Sequence, residues 1–349
     1  MPLTPDRRTF CLSALAGLSF RPAFAARYLD LDVLLRWQTG NRRLNPLAVA
    51  NGVLFFSGDT TVGAYALGTR APLWEHPHGF KGPATFRPRL VGGLDGGTDG
   101  GLSVCGGSTW IAAYRIADGA EVWRRPAEID IGVPLATPDT TYYGDGHFLI
   151  AVETVTGREK WRFAAYPGTL ANYAAARNAT TVFFAPGDGK LYALGREDGV
   201  LRWAVDGAEP WQYLRQIYMH QGRLVAGTYH EDLIGIDPNS GETLWSYYSG
   251  NFINSELVAD GTAFFWSPTG WIYAINTETG HRRWRYRTTD YDESESNWGP
   301  VLAELVVFGD YLYVLDMKND LHRIDIRTGE HHEAAHVPAR IRHALLPVA

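Results

Sequence analysis

Short apolar runs alternate along this chain with turns rich in glycine, proline, asparagine and aspartate. Residues 254–287 show one complete unit. Its predicted strands are Asn254–Ala259, Thr262–Ser267, Trp271–Asn276 and His281–Tyr286. The intervening turns contain Asp260-Gly261, Pro268-Thr269-Gly270 and Thr277-Glu278-Thr279-Gly280. Such turn residues between apolar runs predict antiparallel hairpins, so the unit is predicted to be a four-stranded sheet.

A phrase of the form Ala-x-(Asp/Glu/Asn)-x-x-x-Gly-x-x-x-Trp recurs through the chain and marks the end of each unit. Its glycine and tryptophan positions are Gly119/Trp123, Gly157/Trp161, Gly199/Trp203, Gly241/Trp245 and Gly280/Trp284. A degenerate earlier copy has Arg70 at the glycine position and Trp74. A later copy has Gly329, and Glu333 where tryptophan is expected. A period of about 40–45 residues is typical of β-propeller blades.

The repeat predicts an all-β fold, a single β-propeller of four-stranded blades. Seven sets of inner strands lie near residues 46–67, 87–117, 133–155, 172–196, 213–238, 254–277 and 300–326. They predict seven blades, and eight are the alternative if Ala339–Val348 adds a strand. Val33–Gln38 is expected to pair with the last blade and close the ring, as propellers must hide their sheet edges.

The repeated residue types indicate structural roles. The glycine is expected to supply a positive φ at the third turn of each blade. The tryptophan is expected to begin the outer strand and fill the space between blades, which suits its large apolar area. We therefore interpret these tryptophans as packing residues rather than as cofactor-stacking residues.

The N-terminus has the features of an export signal. Asp6-Arg7-Arg8-Thr9-Phe10 precedes an apolar run, Leu12–Phe20, and Ala23-Phe24-Ala25 offers a small-residue cleavage site. This resembles a bacterial twin-arginine signal, and an ordinary secretory signal is the alternative. The predicted organisation is an export signal over residues 1–25 and one propeller domain over 26–349, located in the periplasm.

The mature chain is expected to be acidic. Removing residues 1–25 leaves 29 basic and 37 acidic residues, a net charge of −8. This balance, without a basic stripe, argues against nucleic-acid binding and against electrostatic binding to anionic lipid. The sequence has no apolar segment of transmembrane length. Cys105, the one cysteine left after cleavage, is expected to be buried and unreactive.

The repeat resembles that of the quinoprotein-type (PQQ-like) propellers. The likeness is carried by Leu191-Tyr192-Ala193-Leu194, Ile272-Tyr273-Ala274-Ile275 and Ile236-Asp237-Pro238-Asn239-Ser240-Gly241, and it covers roughly 46–333. This superfamily includes dehydrogenases that depend on pyrroloquinoline quinone (PQQ). It also includes cofactor-free relatives such as BamB, the propeller subunit of the outer-membrane barrel-assembly machine, which this chain is most similar to in style.

The resemblance implies no catalytic residue here. The dehydrogenases carry an adjacent cysteine pair over the quinone, and Glu, Asn and Asp around a calcium ion. This chain has no adjacent cysteines and is much shorter. No cofactor is expected, and PQQ with calcium is the alternative.

A binding site is expected where the loops from each outer strand to the next inner strand surround the central channel. Aromatic, amide and charged residues collect in these loops and at the strand starts that follow. The candidates are Arg87, Arg89, Asn172, Trp211, Gln212, Tyr213, Arg215, Tyr248, Asn254, Glu256, Asn297 and Trp298. Asn172, Gln212 and Asn254 are expected at similar places in successive blades. Such residues can hold a planar or anionic ligand or a peptide, and the alternative is that they plug the channel.

Three groups have residue types that bind metals. The acidic stretch 290–296 is expected to be a solvated loop rather than a calcium site. His331, His332, Glu333 and His336 are expected in a solvated tail rather than a transition-metal site. His76 and His78 could likewise approach a metal, and a metal site is equally not expected there.

These observations predict a non-catalytic periplasmic propeller that binds a protein or peptide partner of the cell envelope through its loop-rich channel face, as a scaffold or accessory subunit. The alternative is an exported oxidoreductase or ligand-binding protein that holds PQQ or a related small ligand in the channel.

Overall fold

The structure is a computed structural model. It describes residues 12–14, 32–35, 44–69, 71–92, 101–166, 174–206, 214–228, 231–251, 253–267, 271–287, 304–316 and 319–336.

Seven four-stranded antiparallel sheets follow one another along the chain, and each forms one blade from consecutive strands. Blade 1 contains β3 (Leu44–Ala50), β4 (Val53–Gly58), β5 (Thr61–Ala66) and β6 (Ala71–Pro77). Blade 2 contains β7 (Arg89–Val91), β8 (Leu102–Gly107), β9 (Trp110–Arg115) and β10 (Glu121–Pro126). Blade 3 contains β11 (Leu135–Ala136), β12 (Thr140–Asp145), β13 (Phe148–Glu153) and β14 (Glu159–Ala164).

The remaining blades repeat this order, from the innermost strand to the outermost. Blade 4 contains β15 (Ala176–Arg177), β16 (Thr181–Phe184), β17 (Lys190–Gly195) and β18 (Leu201–Asp206). Blade 5 contains β19 (Leu214–His220), β20 (Arg223–Thr228), β21 (Asp232–Ile236) and β22 (Thr243–Tyr248). Blade 6 contains β23 (Asn254–Ala259), β24 (Thr262–Ser267), β25 (Trp271–Asn276) and β26 (Arg282–Arg287). Blade 7 contains β27 (Val306–Phe308), β28 (Tyr311–Leu315), β29 (Asp320–Asp325) and β30 (His331–His336).

The seven-bladed, all-β prediction is confirmed. In blade 6, the three inner strands have the predicted bounds, and the outer strand β26 begins and ends one residue later than predicted. The residues proposed for an eighth blade, 339–348, lie outside the described residues.

The predicted closure of the ring by the N-terminus is wrong. Within the described residues, the strand Asp32–Leu35 (β2) pairs with Leu12–Ala14 (β1) in a separate two-stranded sheet. Blade 7 takes its outermost strand from the C-terminal part of the chain, because β30 already pairs with the outer edge of β29. Among the strands that the structure describes, blade 7 therefore shares none with the N-terminal segment.

The repeated tryptophan and glycine join consecutive blades. Trp123 of blade 2 donates a hydrogen bond from Nε1 to the carbonyl oxygen of Thr154 in blade 3, at 2.7 Å. Its indole packs on Gly157, where an added Cβ atom would lie 2.6 Å from the ring. Gly157 has φ of 69°, a value that side-chain-bearing residues rarely adopt. The predicted roles of both residues are confirmed.

The same indole-to-carbonyl bond occurs at each junction from blade 1 to blade 7. The pairs are Trp74–Ile116 (2.9 Å), Trp123–Thr154 (2.7 Å), Trp161–Arg196 (2.9 Å), Trp203–Pro238 (3.2 Å), Trp245–Thr277 (3.1 Å) and Trp284–Ile326 (2.9 Å). Clusters of buried apolar side chains lie at the same junctions. The core is thus distributed between blades rather than gathered at one centre.

None of the described segments forms a helix with the length and hydropathy of a membrane span.

Candidate functional site

The predicted site residues fall into three groups. Six of them lie outside the described residues: Asn172, Trp211, Gln212, Tyr213, Asn297 and Trp298. The backbone of Arg215 lies in β19 and that of Asn254 in β23. Arg87, Arg89, Glu256 and Tyr248 are described with their side chains.

An ion pair connects blade 2 with blade 7 at the entrance of the channel. Arg87, just before β7, donates a hydrogen bond from Nη2 to Oε2 of Glu304, just before β27, at 2.8 Å. Both residues precede innermost strands, so they lie on the face formed by the connections between blades. Blade 1 lies between these two blades in the ring, so the contact spans more than one blade junction. Glu304 is not among the predicted site residues, because no local sequence pattern distinguishes it from a solvated loop residue.

Arg89 lies two residues further along, within β7, and is more deeply buried. Burial lowers the pKa of its guanidinium, and the positive charge of Arg87 acts in the same direction. Its Nε atom is buried and has no hydrogen-bond partner among the described residues. Glu304 of blade 7 and Tyr218 of blade 5 act in the opposite direction and raise the pKa of Arg89. Arg89 is therefore close to both of these blades.

Tyr218 and Glu256 complete this channel cluster, which we define as Arg87, Arg89, Tyr218, Glu256 and Glu304. The hydroxyl of Tyr218 in β19 donates a hydrogen bond to the carbonyl oxygen of Glu256 in β23, at 2.6 Å. Burial raises the pKa of Tyr218, and the carboxylates of Glu256 and Glu304 raise it further. Tyr218 therefore stays protonated and remains a hydrogen-bond donor at neutral pH.

The strand register explains why two polar members of the cluster approach one another. In every blade, the cross-strand partners of the repeated tryptophan position can be followed from the outermost strand to one residue of the innermost strand. These seven positions are Ala48, Arg89, Leu135, Ala176, Tyr218, Leu257 and Val306. Five are apolar, and Arg89 and Tyr218 are the exceptions. Once the strand register is known, a polar residue at this position of the innermost strand can be recognised from the sequence as a candidate channel residue.

Arg215 and Asn254 occupy corresponding positions in β19 and β23. The pairing of β23 with β24 is irregular between Asn254 and Leu257, and that of β19 with β20 is irregular between Leu214 and Ile217. Asn254 lies three residues before Leu257, and the residue three before the matching Tyr218 is Arg215. The irregularity lies at the same place in both strands, so Arg215 corresponds to Asn254. Gln212, the predicted equivalent, lies outside the described residues.

Exposed apolar side chains lie around the rim of the same face. Tyr248 at the end of β22 is 66% exposed, and Tyr166, after β14, is 68% exposed. Ile129, after β10, is 52% exposed. A hydrogen bond to Glu231 raises the pKa of Tyr248, so its phenol also remains protonated. Large side chains at such a rim are available for contact with a partner.

The histidines considered as metal ligands lie in strands or stack on aromatic rings. His331, His332 and His336 belong to β30, so the predicted tail is a strand. His76 stacks on Trp74 at a centroid distance of 5.9 Å, and His78 stacks on Trp110 at 4.7 Å. Within the described residues, no group of three or more His, Cys, Asp or Glu is arranged to hold a metal ion. The acidic stretch 290–296 lies outside them.

Cys105 lies in β8, between blades 1 and 2, and is 1% exposed. Burial raises the pKa of its thiol to about 12. A thiol with this pKa is not a nucleophile at neutral pH, and the expectation of a buried, unreactive cysteine is confirmed.

Similar solved structures agree on the fold. BamB from Moraxella catarrhalis superposes with a TM-score of 0.64 and 17% identity, over 86% of this chain and 88% of that one. Sqt1 from Saccharomyces cerevisiae gives a TM-score of 0.66 at 11% identity, over 83% and 84%. AztD from Citrobacter koseri gives 0.63 at 14% identity, over 89% and 91%.

A search of curated protein sequences finds no match. A family model described as outer membrane protein assembly factor BamB matches residues 58–212 and 188–345, which together span most of the propeller. The chain therefore belongs to this family of PQQ-like β-propellers.

Proposed function

We propose that this chain is a non-catalytic periplasmic propeller that binds a protein or peptide partner through its channel face, as a scaffold or accessory subunit. The description of its family, an outer membrane protein assembly factor, supports a role in protein interaction in the cell envelope. Identity to the solved relatives is too low to transfer a partner, so the proposal rests on the geometry of the face.

One observation carries the proposal: exposed aromatic side chains lie at the rim of a channel entrance that contains the Arg87–Glu304 ion pair and the hydrogen bond from Tyr218 to the backbone of Glu256. Tyr166 and Tyr248 are each about two-thirds exposed. Between them and the axis, Arg87 is held by Glu304 and Tyr218 is held by Glu256. Exposed tyrosines at this face can act as aromatic anchors, and a few such anchors contribute most of the affinity at a protein interface.

The first experiment is a pull-down from periplasmic extract with purified residues 26–349. We expect the double variant Tyr166→Ser, Tyr248→Ser to lose the recovered partner, and Trp211→Ala with Trp298→Ala to weaken recovery. The matched control is Val155→Ser with Val200→Ser, which removes two side chains that are 62% and 52% exposed in turns on the opposite face. Equal recovery by the tyrosine variant and the control would refute the proposed face.

One observation favours a second function, a ligand in the channel. Arg89 is a partly buried cation whose buried Nε has no hydrogen-bond partner among the described residues, and Arg87 lies beside it. Such a pair could hold carboxylates, which PQQ carries. The cysteine part of the quinoprotein site does not fit, because Cys105 is buried between two blades and has no adjacent cysteine. We therefore derive no redox step from this site.

An absorbance spectrum and mass spectrum of the exported protein test the second function. We expect no stoichiometric quinone and no rise in melting temperature on addition of PQQ and calcium, since a ligand that binds the native state would raise it. A bound quinone, or a rise that Arg89→Leu abolishes, would establish the second function instead.

Export is part of the proposal and has its own test. The intact mass of protein recovered from the periplasm should correspond to a chain that begins at Ala26. Cleavage there would remove β1 and leave the seven blades complete. Replacement of Arg7 and Arg8 by lysine should block twin-arginine export, and unchanged export would indicate an ordinary secretory signal.

A further inference from the structure

The exposed tyrosines of the channel face are in contact with carboxylates. Tyr248 of blade 5 donates a hydrogen bond from its hydroxyl to the side chain of Glu231, and its cross-strand partner is Asp232. Tyr166, in the connection from blade 3 to blade 4, donates its backbone N–H to Oδ2 of Asp188 at 3.5 Å. The same combination of an exposed ring and a carboxylate therefore occurs twice on this face.

Tyr248 lies in negative surroundings. The hydrogen bond to Glu231 raises the pKa of Tyr248, and the charges of Glu231 and Asp232 act in the same direction. Oδ1 of Asp232 accepts a hydrogen bond from the hydroxyl of Ser246 at 2.8 Å, which leaves the negative charge uncancelled. A carboxylate has about four acceptor sites, and both carboxylates are partly exposed, so each can accept further donors.

Other carboxylates near this rim are compensated within the protein. Arg162 contacts Glu128 at 3.0 Å, and Lys190 contacts Asp206 at 2.8 Å. Among the described residues, no arginine or lysine forms an ion pair with either carboxylate beside Tyr248. The charge next to this exposed ring is therefore one that a partner can meet.

Hydrogen bonds hold the backbone around Tyr248 in place. The carbonyl oxygen of Glu231 accepts the N–H of Ser249 at 2.8 Å, which ties the turn to the end of β22. The N–H of Asp232 donates to the hydroxyl of the buried Thr228 at 3.1 Å. Since the ring and the carboxylates are already positioned, little ordering is needed when a partner binds.

This combination of groups matches a cationic side chain. An aromatic ring attracts arginine or lysine over its face, and carboxylates form charge-assisted hydrogen bonds with the same cation. A guanidinium fits best, because its plane can stack on a ring while its N–H groups reach two carboxylates. The net charge of −6 on the whole chain also attracts a basic partner.

We propose that Glu231, Asp232 and Tyr248 form a binding site for an arginine side chain of the partner, which presents a basic segment to the channel face. The phenol ring supplies the stacking surface, and the two carboxylates accept hydrogen bonds from the guanidinium. This inference rests on the proposed function, because it specifies the chemistry of a partner that binds the same face.

The test uses residues 26–349 and a fluorescein-labelled peptide of alternating arginine and serine, followed by fluorescence anisotropy. We expect saturable binding that weakens as NaCl is raised, and much weaker binding when citrulline, a neutral analogue, replaces arginine. The double variant Glu231→Gln, Asp232→Asn should bind at least about tenfold more weakly, because two charge-assisted contacts are lost. Tyr248→Leu should also weaken binding, whereas Tyr248→Phe, which keeps the ring, should retain most of it.

A matched control separates the proposed site from net charge. Glu242→Gln, Glu278→Gln makes the same charge change at exposed glutamates in turns on the opposite face. This control should bind like the unchanged protein, and circular dichroism confirms that each variant is folded. An equal loss in both double variants, or equal binding of the citrulline peptide, would overturn the proposal.

The pull-down distinguishes failure of this inference from failure of the proposed function. If the Tyr166→Ser, Tyr248→Ser variant loses the partner while Glu231→Gln, Asp232→Asn retains it, the channel face binds the partner and the arginine site is wrong. If neither variant loses the partner, the proposed face itself is wrong. Loss in both variants, with recovery that weakens as NaCl is raised, supports both proposals.

Discussion

The six junctions from blade 1 to blade 7 share one arrangement, and the junction that closes the ring lacks it. At each of the six, an indole donates a hydrogen bond to the next blade and packs on a glycine of positive φ. At the seventh, Glu333 occupies the tryptophan position of blade 7 and Arg70 occupies the glycine position of blade 1. Both halves of the contact are therefore replaced at the same junction.

The closing junction still buries apolar side chains. On blade 1, Leu54 and Phe56 are at most 2% exposed, and they alternate along β4 with Phe55, which packs towards blade 2. On blade 7, Leu315 is fully buried and alternates with Val314, which packs towards blade 6. Since alternate residues of a strand face opposite sides, Leu54, Phe56 and Leu315 face the closing junction. A ring of sheets can thus close by side-chain packing, without a shared strand or the repeated indole.

The largest expected effect comes from removing one indole. Trp123→Ala deletes a side chain that is 7% exposed together with its hydrogen bond to Thr154. We expect a loss of about 3–5 kcal/mol in the free energy of unfolding, which urea denaturation measures. The exposed Val155→Ala is the control and should change stability by less than about 0.5 kcal/mol. A similar cost for both variants would contradict the role assigned to the indole.

Substitution of the glycine on which the indole packs should lower the free energy of unfolding by less than removal of the indole. Gly157→Ala imposes a positive φ on alanine and places Cβ 2.6 Å from Trp123, for an expected loss of about 2–4 kcal/mol. Gly222→Ala is a matched control, with φ of +78° and no atom within 4 Å of the added Cβ. It should lower the free energy of unfolding by only about 1–2 kcal/mol, which is the cost of a positive φ for a residue with a Cβ atom. Equal losses in the two variants would show that the contact with the indole is unimportant.

A pH dependence is expected at the junction of blades 1 and 2. Burial lowers the pKa of His78 below 6.5, although the carbonyls of Asp59 and Gly58 oppose the shift. Phe80 donates its backbone N–H to Nδ1 at 3.1 Å, which requires that nitrogen to be unprotonated. The unfolded state therefore binds the proton more readily, so stability is full above pH 6.5 and falls as the pH drops towards the folded-state pKa. Melting temperatures between pH 5 and 8 should show this fall, and His78→Gln should flatten it. His281→Gln, at an exposed histidine, should leave the fall in melting temperature unchanged. A fall of equal size in the two variants would mean that another group titrates.

The smallest effect is expected at the closing junction. Glu333→Ala removes no indole and should change the free energy of unfolding by less than about 1 kcal/mol, as measured by urea denaturation. Trp284→Ala, at the neighbouring junction, is the comparison and should cost several times more, because its indole is 8% exposed and bonds to Ile326. A loss at Glu333 as large as that at Trp284 would mean that the closing junction has its own essential contact there.

The candidate site was predictable in outline but not in its pairing. The pattern of strands and turns located the face on which Arg87, Arg89, Tyr248 and Glu256 lie. It could not indicate that Glu304, more than two hundred residues away along the chain, would bond to Arg87. It also did not align Arg215 with Asn254, a correspondence that becomes visible only when β19 and β23 are compared through the strands they pair with.

The sequence alone determined the blade, its period and the six indole junctions, because these depend on residues a fixed distance apart in one repeat. Only the tertiary structure decided how the ring closes and which charged groups meet in the channel. Those outcomes depend on contacts between residues far apart in the chain, and the energy of such a contact is set by where folding places both partners.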